Sequence, residues 1–311
     1  MQSFTFSGIT SPMEQHRAVV IGVGGSIGSK LAEYLLNHKF TVCGIDTSTS
    51  TPRWIRERNI QGFSTWRRFS LYEGNLTALP LDEIIKGARF VFYVPEEKPD
   101  NDFYTSLRWN VIGTERILQT LNRIGGIEKF IYGSTGNVYP YGVSTEETQP
   151  QPTTVVEYCK IAGEELIHMY AREQHIPALV VRYSTVYGPH EPPWGKCHRI
   201  LRDILEGKDV DQKWQENIIY IDDAVEATFL LAQSPAVDGV FNIAGKKVVS
   251  ADEVKTQAKK FLKMEREDAN KDGNLRVLHT EKLEKLVGFT PRFPLHQGIA
   301  REINWLREVY A

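Results

Sequence analysis

The sequence lacks the features that would mark a secreted or membrane-spanning protein. Three cysteines, Cys43, Cys159 and Cys197, stand at unrelated spacings, so they predict no disulfide framework and fit a reducing cytoplasm. No apolar run approaches the roughly 18 residues of a membrane span, and the polar residues 1–16 do not resemble a signal peptide. We therefore expect a cytoplasmic protein whose first residues form an N-terminal arm.

Charge and histidine patterns exclude further classes of protein. The net charge is −2 and no basic run occurs, so neither nucleic-acid binding nor membrane-surface binding is predicted. The eight histidines show no zinc-ligand spacing, and we expect no metal ion. Glu164 and His168 lie one helical turn apart, and a solvated helix face is the better interpretation of that pair.

What the chain does contain is a regular alternation of short apolar runs with amphipathic segments. The composition is that of an ordinary globular protein, with 41% hydrophobic and 24% charged residues. The apolar runs predict strands at residues 17–23, 40–46, 89–94, 129–134 and 178–184. The segments between them predict helices at residues 26–38, 81–87, 102–124 and 155–174. This alternation predicts an α/β fold with a doubly wound parallel sheet.

A glycine-rich turn follows the first predicted strand. Gly22, Gly25 and Gly28 form the pattern G-x-x-G-x-x-G within VVIGVGGSIGSKLAEYLL. Glycines let the chain turn tightly and let a pyrophosphate approach the backbone, while helix amides from Ser26 and Ile27 onward face its negative charge. The turn therefore predicts a dinucleotide cofactor.

The end of the second predicted strand selects between two such cofactors. Asp46 stands there, 18 residues after Gly28. A carboxylate at this position accepts hydrogen bonds from the adenosine ribose and repels a 2′-phosphate. We expect NAD in preference to NADP.

Further motifs resemble the extended short-chain dehydrogenase/reductase family over residues 17–309. KFIYGSTGNVYP resembles the family strand that leads to a catalytic Ser or Thr, and LVVRYSTVYGP resembles its Arg-Tyr-Phe-x-Val-Tyr-Gly-Pro segment. IIYIDDAVEATFLL resembles its Val-Asp-Asp helix start. The run FYTSLRWNVIGTERIL is most similar to the sugar-nucleotide epimerases and dehydratases, the UDP-glucuronate 4-epimerase type in particular.

The resemblance implies a domain organisation and a reaction. After the arm, 1–16, a Rossmann domain, 17–188, binds NAD, and a smaller α/β lobe, 189–311, binds the substrate and is partly interleaved with the first domain. NAD takes a hydride from a sugar carbon and then returns it. The protein is then an epimerase, dehydratase or reductase that acts on a sugar nucleotide or a related hydroxylated small molecule.

The resemblance also assigns roles to single residues. Thr135 takes the position of the catalytic hydroxyl that hydrogen-bonds the reacting oxygen. Lys160 takes that of the lysine that holds the nicotinamide ribose and activates a catalytic tyrosine. Asn75, Leu76 and Tyr183 take positions that contact the cofactor.

A homodimer is a further implication of the resemblance. Two long predicted helices, 102–124 and 155–174, would pack against their copies as a four-helix bundle about a two-fold axis. The apolar positions that motivate this prediction are Ile112, Ile117, Leu118, Leu166, Ile167 and Tyr170.

The catalytic tyrosine is missing from its position. In EETQPQPTTVVEYCKIAGEEL the family spacing Tyr-x-x-x-Lys puts Lys160 at the lysine and Val156 at the tyrosine. Tyr158 lies about 200° round a helix from Lys160. Tyr158 is a catalytic candidate only in a second register, which puts Ala162 where the lysine belongs.

The hydroxyl proton must then move by another route. The candidates are the hydroxyl of Thr135, a water held by Lys160, Lys160 itself, and the hydroxyl of Tyr139 or Tyr183. Two rival interpretations follow from the same gap: a catalytically silent NAD-binding scaffold or partner subunit, and a small-molecule ketoreductase of a biosynthetic pathway.

Two more segments depart from the family pattern. Tyr93-Val94-Pro95-Glu96 replaces His-Leu-Ala-Ala and puts a charge beside the cofactor. In GKDVDQKWQENIIYIDD, Glu216 stands where the family has an arginine that binds the nucleotide diphosphate. A carboxylate there would repel a diphosphate, which predicts that UDP-glucuronate is a poor substrate.

Overall fold

The computed structural model describes residues 16–46, 52–95, 98, 100–264 and 273–310. Residues 1–15 of the predicted arm, and Glu96, lie outside the described residues. The strands are β1 Arg17–Ile21, β2 Thr41–Asp46, β3 Phe69–Glu73, β4 Phe90–Tyr93, β5 Lys129–Thr135, β6 Gly142–Ser144, β7 Ala178–Tyr183, β8 Val186–Tyr187, β9 Trp214–Glu216, β10 Ile219–Tyr220, β11 Val240–Ile243, β12 Val249–Ser250 and β13 Asn274–Leu278. The helices are α1 Ser26–Asn37, α2 Arg53–Gln61, α3 Leu81–Ile85, α4 Phe103–Leu107, α5 Thr114–Ile124, α6 Val155–Gln174, α7 Lys196–Leu205, α8 Ile221–Gln233, α9 Ala251–Leu262, α10 Glu281–Val287 and α11 Leu295–Tyr310.

Seven parallel strands form the central sheet, in the order β11-β7-β5-β4-β1-β2-β3. The chain enters at β1, adds β2 and β3 on one side, and then crosses over to add β4 and its neighbours on the other. The predicted doubly wound parallel sheet is confirmed. In such sheets ligands bind beyond the carboxyl ends of the strands, at the point where the strand order reverses. Here that point lies between β1 and β4.

Helices cover both faces of this sheet. Val20 and Phe92 pack in one hydrophobic cluster with residues of α1 and α8. Val19 and Val91 pack in a second cluster with residues of α5 and α6. Because successive strand residues point to opposite faces, each apolar run serves two cores at once. This explains why these strands are uniformly apolar rather than alternating.

The C-terminal part of the chain contributes to three sheets, of which the smallest pairs β10 with β8. β12, β9, β13 and β6 form a second, four-stranded sheet, and α7, α9 and α11 share a hydrophobic cluster beside it that includes Ile200, Val254 and Ile303. However, β11 pairs with β7 at the edge of the central sheet, and α8 covers that sheet. β6, which precedes residue 188, belongs to the second sheet. A boundary at 188 therefore does not divide the chain into two separate units.

Some elements escape prediction because their sequences carry no apolar run. β3 is an edge strand with the burial pattern intermediate-exposed-exposed-intermediate-exposed, so FSLYE shows no buried period. α2 has the mostly charged and polar sequence RWIRERNIQ. α10 and β13 are short and also outside the predicted elements.

The helix predicted over 102–124 is divided by a π-helical turn, Arg108–Gly113. The hydroxyl of Tyr93 donates to the carbonyl of Trp109 at 2.6 Å, and Thr114 Oγ1 donates to the carbonyl of Asn110 at 2.6 Å. These side chains bond carbonyls that a regular α-helix would use itself, which accounts for the wider turn. Within the described ranges, no helix combines the length and the apolar character needed to cross a membrane.

Candidate active site

A cavity of about 320 Å³ opens at the carboxyl end of the central sheet. Its walls come from the start of α1, the ends of β4, β5 and β7, the first turn of α6 and the loop before α7. The lining residues include Ser26, Ile27, Val94, Ser134, Thr135, Thr154, Val156, Glu157, Lys160, Tyr183, Glu191, Trp194 and Lys196. Residues predicted for the cofactor and residues predicted for the chemistry thus meet in one cavity.

The glycine turn brings the start of α1 to this cavity. Gly22 has φ of +90°, a conformation that side-chain-bearing residues rarely adopt. A Cβ added at Gly28 would lie only 2.0 Å from the Gly22 carbonyl oxygen, so β1 and α1 approach too closely for any side chain. Gly25 precedes α1 without a capping side chain, and Ser26 follows in the cavity wall. A helix N-terminus bare of side chains fits a pyrophosphate.

Asp46 is anchored at the mouth of the glycine turn. Its Oδ2 accepts a hydrogen bond from the Gly24 amide at 2.6 Å, and its Oδ1 accepts from Arg56 Nη1 at 3.1 Å. Arg56 lies on α2 and was not predicted as a site residue, because it comes from a helix that the sequence pattern does not indicate. The fixed carboxylate and the glycine turn together fit the adenosine half of NAD.

Two other predicted cofactor contacts follow β3. Asn75 is exposed, and its Oδ1 accepts from the Thr77 amide at 3.1 Å. Leu76 is 1% exposed and packs in the core with α3 and α5. Asn75 thus lies at the surface, at the carboxyl edge of the sheet. The Leu76 side chain packs in the core beside that edge.

A capping box fixes the first turn of α6. Thr154 Oγ1 accepts from the Glu157 amide at 3.3 Å, and Glu157 Oε2 accepts from the amides of Thr153 and Thr154 at 2.6 and 3.1 Å. This box sets where the helix begins, and therefore which of its side chains line the cavity. Those residues are Val156, Glu157 and Lys160.

Lys160 lies at the floor of the cavity. It is 6% exposed, and its Nζ donates to the Gly133 carbonyl at 2.8 Å and lies 5.2 Å from the centre of the Tyr132 ring. Thr135 lines the same cavity, and its Oγ1 accepts from the Asn137 amide at 3.1 Å, so the Thr135 hydroxyl can donate to a ligand. Lys160 and Thr135 are therefore brought together.

Tyr158 is not brought to the site. Its side chain is 61% exposed and does not line the cavity, whereas Val156 and Lys160 both do. The reason is helical geometry, since residues two apart point to opposite sides of a helix and residues four apart share a face. The structure thus places a valine where the family spacing expects a tyrosine.

The other two tyrosine candidates point their hydroxyls elsewhere. The Tyr139 hydroxyl accepts from Arg182 Nη1 at 2.8 Å and donates to Asn242 Oδ1 at 3.1 Å, and burial raises its pKa. The Tyr183 hydroxyl is bonded to Thr228 on α8 at 2.7 Å, and burial raises its pKa also. Tyr183 contributes to the cavity wall, but its hydroxyl lies on the α8 side of the sheet.

The sequence patterns do not predict the buried ion pair of Arg182 and Glu164, which lies next to the cavity. Arg182 Nη2 donates to Glu164 Oε2 at 2.5 Å, and Ser134 donates to the other oxygen of the same carboxylate. The Glu164 side chain is 2% exposed, so its interpretation as part of a solvated face is wrong. Ser134 and Arg182 stand opposite each other on the paired strands β5 and β7, a pairing that no pattern within one sequence segment indicates.

Glu216 is not an isolated charge. It is 3% exposed, Lys196 donates to its Oε1, and Thr185 Oγ1 donates to its Oε2 at 2.5 Å. Arg276 Nη1 lies 3.8 Å from the same carboxylate. Two cations therefore surround one carboxylate, which removes the physical reason to expect that Glu216 repels a diphosphate.

Comparison with known proteins agrees with this geometry. The model of the NAD dependent epimerase/dehydratase family matches residues 18–244. The chain belongs to this family. A Bacillus subtilis (strain 168) protein described as an uncharacterized UDP-glucose epimerase is 28% identical over 314 residues, which cover 94% of this chain and 99% of that protein.

Solved structures of this epimerase/dehydratase family share the fold. UDP-glucuronic acid 4-epimerase from Bacillus cereus in complex with NAD has a TM-score of 0.87 and 27% identity, covering 95% of this chain and 100% of that one. The same enzyme in complex with UDP-glucuronic acid and NAD has a TM-score of 0.86 and 26% identity, covering 94% and 100%. Membership in the family makes NAD the cofactor of this chain, and the residues around Gly22, Ser26 and Asp46 fit it.

Proposed function

We propose that the protein oxidises and re-reduces a hydroxyl-bearing carbon of a nucleoside-diphosphate sugar, as an epimerase or dehydratase. The observation that carries this proposal is the single cavity shared by the start of α1, Thr135 and Lys160. When bound, NAD supplies the acceptor for a substrate hydride and the source of its return. Ser26 and its helix amides would hold the pyrophosphate, and Lys160 the nicotinamide ribose.

Charge at the outer wall supports a nucleoside-diphosphate sugar as substrate. Lys196 lines the cavity, and with Arg276 it leaves one net positive charge around Glu216. The described lining as a whole carries Glu157 and Glu191 beside Lys160 and Lys196, so the attraction for a diphosphate is local to the cluster at Lys196. The Bacillus cereus epimerase, which binds UDP-glucuronic acid and NAD, matches this chain over 94% of its length.

The direct test is to offer sugars to the purified protein. NAD released by denaturation is quantified first, and then UDP-glucose, UDP-glucuronate and dTDP-glucose are added. We expect bound NAD and conversion of at least one sugar, seen by proton NMR, with no net consumption of NAD. Bound NAD without conversion of any sugar would instead favour the silent NAD-binding scaffold.

We also propose a cytoplasmic homodimer formed through α4, α5 and α6. Tyr104, Ile112, Tyr158 and Met169 are 77%, 47%, 61% and 36% exposed, which supports an apolar surface on these helices. The prediction that Ile117, Leu118 and Ile167 lie in the dimer interface is wrong, because all three side chains are fully buried in the chain's own core. Cys43, Cys159 and Cys197 are buried and form no disulfide in the described part of the chain, which fits a reducing compartment.

Light scattering at micromolar concentration tests the dimer. We expect twice the chain mass for the wild type and the chain mass for Ile112→Glu, because a carboxylate in an apolar interface is costly. Phe261→Glu is the control, since Phe261 is 40% exposed and lies on α9, which packs against α7 and α11. A wild type that scatters as a monomer would remove this proposal.

A further inference from the structure

Val156 stands where the family has a tyrosine, so its side chain offers no phenol that could accept the substrate proton. Another titratable group of the cavity wall must then take that proton. Besides Lys160 and Tyr183, the lining contains Glu157, Glu191 and Lys196. The Tyr183 hydroxyl lies on the other side of the sheet, and Lys196 is paired with Glu216.

Glu191 faces away from the first turn of α6. Its Oε1 accepts from the Cys197 amide at 3.2 Å and its Oε2 accepts from the His198 amide at 3.1 Å, both at the start of α7. A Cβ added at Gly195 would lie 2.2 Å from Oε1, so the carboxylate lies tightly under this loop. Glu191 therefore closes the start of α7, and among the lining carboxylates of the described residues Glu157 remains.

Glu157 has one anchored oxygen and one open oxygen. Oε2 accepts three hydrogen bonds, from the amide of Thr153 at 2.6 Å, its hydroxyl at 3.0 Å and the amide of Thr154 at 3.1 Å. Among the described residues none donates to Oε1. The residue is 9% exposed, yet Oε1 is not among the atoms sealed from solvent. Glu157 lines the cavity, and Oε1 is the carboxylate oxygen of this residue that solvent reaches and that the capping hydrogen bonds leave available.

The position of Glu157 relative to Lys160 suits the missing role. Residues three apart on a helix lie on the same side, one turn from each other, as do residues four apart. Glu157 and Val156 therefore flank the same approach to Lys160, and all three line the cavity. Thr135 lies at the same cavity, and its hydroxyl can donate a hydrogen bond to the substrate oxygen. The proton of that substrate hydroxyl can then be directed to a carboxylate.

We propose that Glu157 is the acid–base residue of this protein and takes the substrate hydroxyl proton in place of a tyrosine at position 156. This rests on the proposed function. In the oxidation step the substrate O–H bond breaks, its electron pair forms the C=O bond as the hydride leaves the same carbon for NAD, and the proton moves to Glu157 Oε1. In the return step the carbonyl carbon regains a hydride and its oxygen takes the proton back from Glu157.

Four proteins test the proposal: the wild type, Glu157→Gln, Val156→Tyr and the double variant. Glutamine still accepts the capping hydrogen bonds but cannot accept a proton, so Glu157→Gln should fold and bind NAD within about threefold of the wild type. Its single-turnover hydride-transfer rate should fall about 10²–10⁴-fold. The double variant should recover most of that loss, because Val156→Tyr returns a phenol beside Lys160. Glu83→Gln, at an exposed position of α3 outside the cavity lining, is the control.

The pH profile separates an acid–base role from a structural one. The wild-type rate should fall in acid, because a carboxylate must be ionised to accept a proton, and Glu157→Gln should lose this limb. The proposal is overturned by a Glu157→Gln rate within tenfold of the wild type, or by a double variant that stays as slow as Glu157→Gln. Activity in Val156→Tyr but not in the wild type overturns both this proposal and the proposed function, whereas a Glu157→Gln rate within tenfold of an active wild type overturns this proposal alone. Inactivity of both with every sugar removes the proposed function, and this proposal with it.

Discussion

The two walls of the active-site cavity are built in different ways. The wall formed by β1, the glycine turn and α1 is mostly backbone, with a Gly22 φ of +90° and a 2.0 Å approach at Gly28. The wall formed by α6 is made of side chains, namely Val156, Glu157 and Lys160. The first wall keeps the family pattern and the second departs from it.

This difference shows which part of an active site tolerates amino-acid substitution. A backbone wall depends on close approach, so any added side chain breaks it. A side-chain wall depends on which chemical group reaches the cavity, and a neighbouring helical position can present that group instead. The capping box of Thr154 and Glu157 keeps the helix start in place, so a change at position 156 leaves the fold intact.

The largest expected effect is on the side-chain wall, at Lys160. Lys160→Met keeps a long apolar stem but removes the charge 2.8 Å from the Gly133 carbonyl. Because that charge would stabilise the substrate oxygen and hold the ribose, the hydride-transfer rate should fall about 10²–10⁴-fold. Stopped-flow absorbance of the reduced nicotinamide measures it. Lys285→Met, at an exposed position of α10, should keep the wild-type rate, and an active Lys160→Met would refute the role.

The next largest effect concerns the support beneath that wall. Glu164→Gln leaves the Arg182 guanidinium buried without its carboxylate, which should lower the free energy of unfolding by about 3–5 kcal/mol. Urea titration measures this loss. Glu83→Gln, at an exposed position of α3, is the control and should change the free energy of unfolding by less than about 0.5 kcal/mol. Equal midpoints for the two variants would show that the ion pair does not stabilise the fold.

Asp46 tests the cofactor wall. Asp46→Ala should weaken NAD binding by about 1–3 kcal/mol, because charge-assisted hydrogen bonds to the ribose are lost. It should also narrow the preference for NAD over NADP, since the repulsion of a 2′-phosphate disappears. Calorimetry with both cofactors measures the two effects, and Asp238→Ala, at the other end of the sheet, is the control. If the wild type bound NAD and NADP with equal affinity, Asp46 would not be responsible for a preference for NAD.

A buried histidine on α7, outside the cavity lining, should make the fold less stable in acid. His198 is 1% exposed, and burial lowers its pKa to about 4, so it is neutral in the folded protein. Below about pH 6.5 the unfolded chain binds a proton that the folded chain does not. His198 should therefore lower the free energy of unfolding by up to about 1.4 kcal/mol per pH unit from 6.5 towards 4, and His190, whose pKa burial lowers to about 3, adds to this slope. Urea midpoints across this range measure it, and a His198→Gln profile as steep as the wild type would contradict it.

Sequence patterns indicate the backbone wall better than the side-chain wall. Gly22 and Gly28 were found because the turn needs their spacing within one short segment. Arg56, which holds Asp46, and Arg182, which holds Glu164, lie on elements that meet only in the folded chain. Spacing within one segment can be read from a sequence, whereas a partner from a distant segment depends on tertiary packing.

The smallest expected effect separates the two registers of α6. Tyr158→Phe should change the hydride-transfer rate by less than about twofold, because its hydroxyl lies on the exposed side of the helix, away from the cavity. Stopped-flow rates of Tyr158→Phe and of Tyr104→Phe, another exposed tyrosine, should both match the wild type. If Tyr158→Phe abolished hydride transfer while Lys160→Met kept it, the working group would lie on the outer face of α6. The two walls would then belong to different sites, and the substrate hydroxyl would not lose its proton in the cavity at the carboxyl end of the sheet.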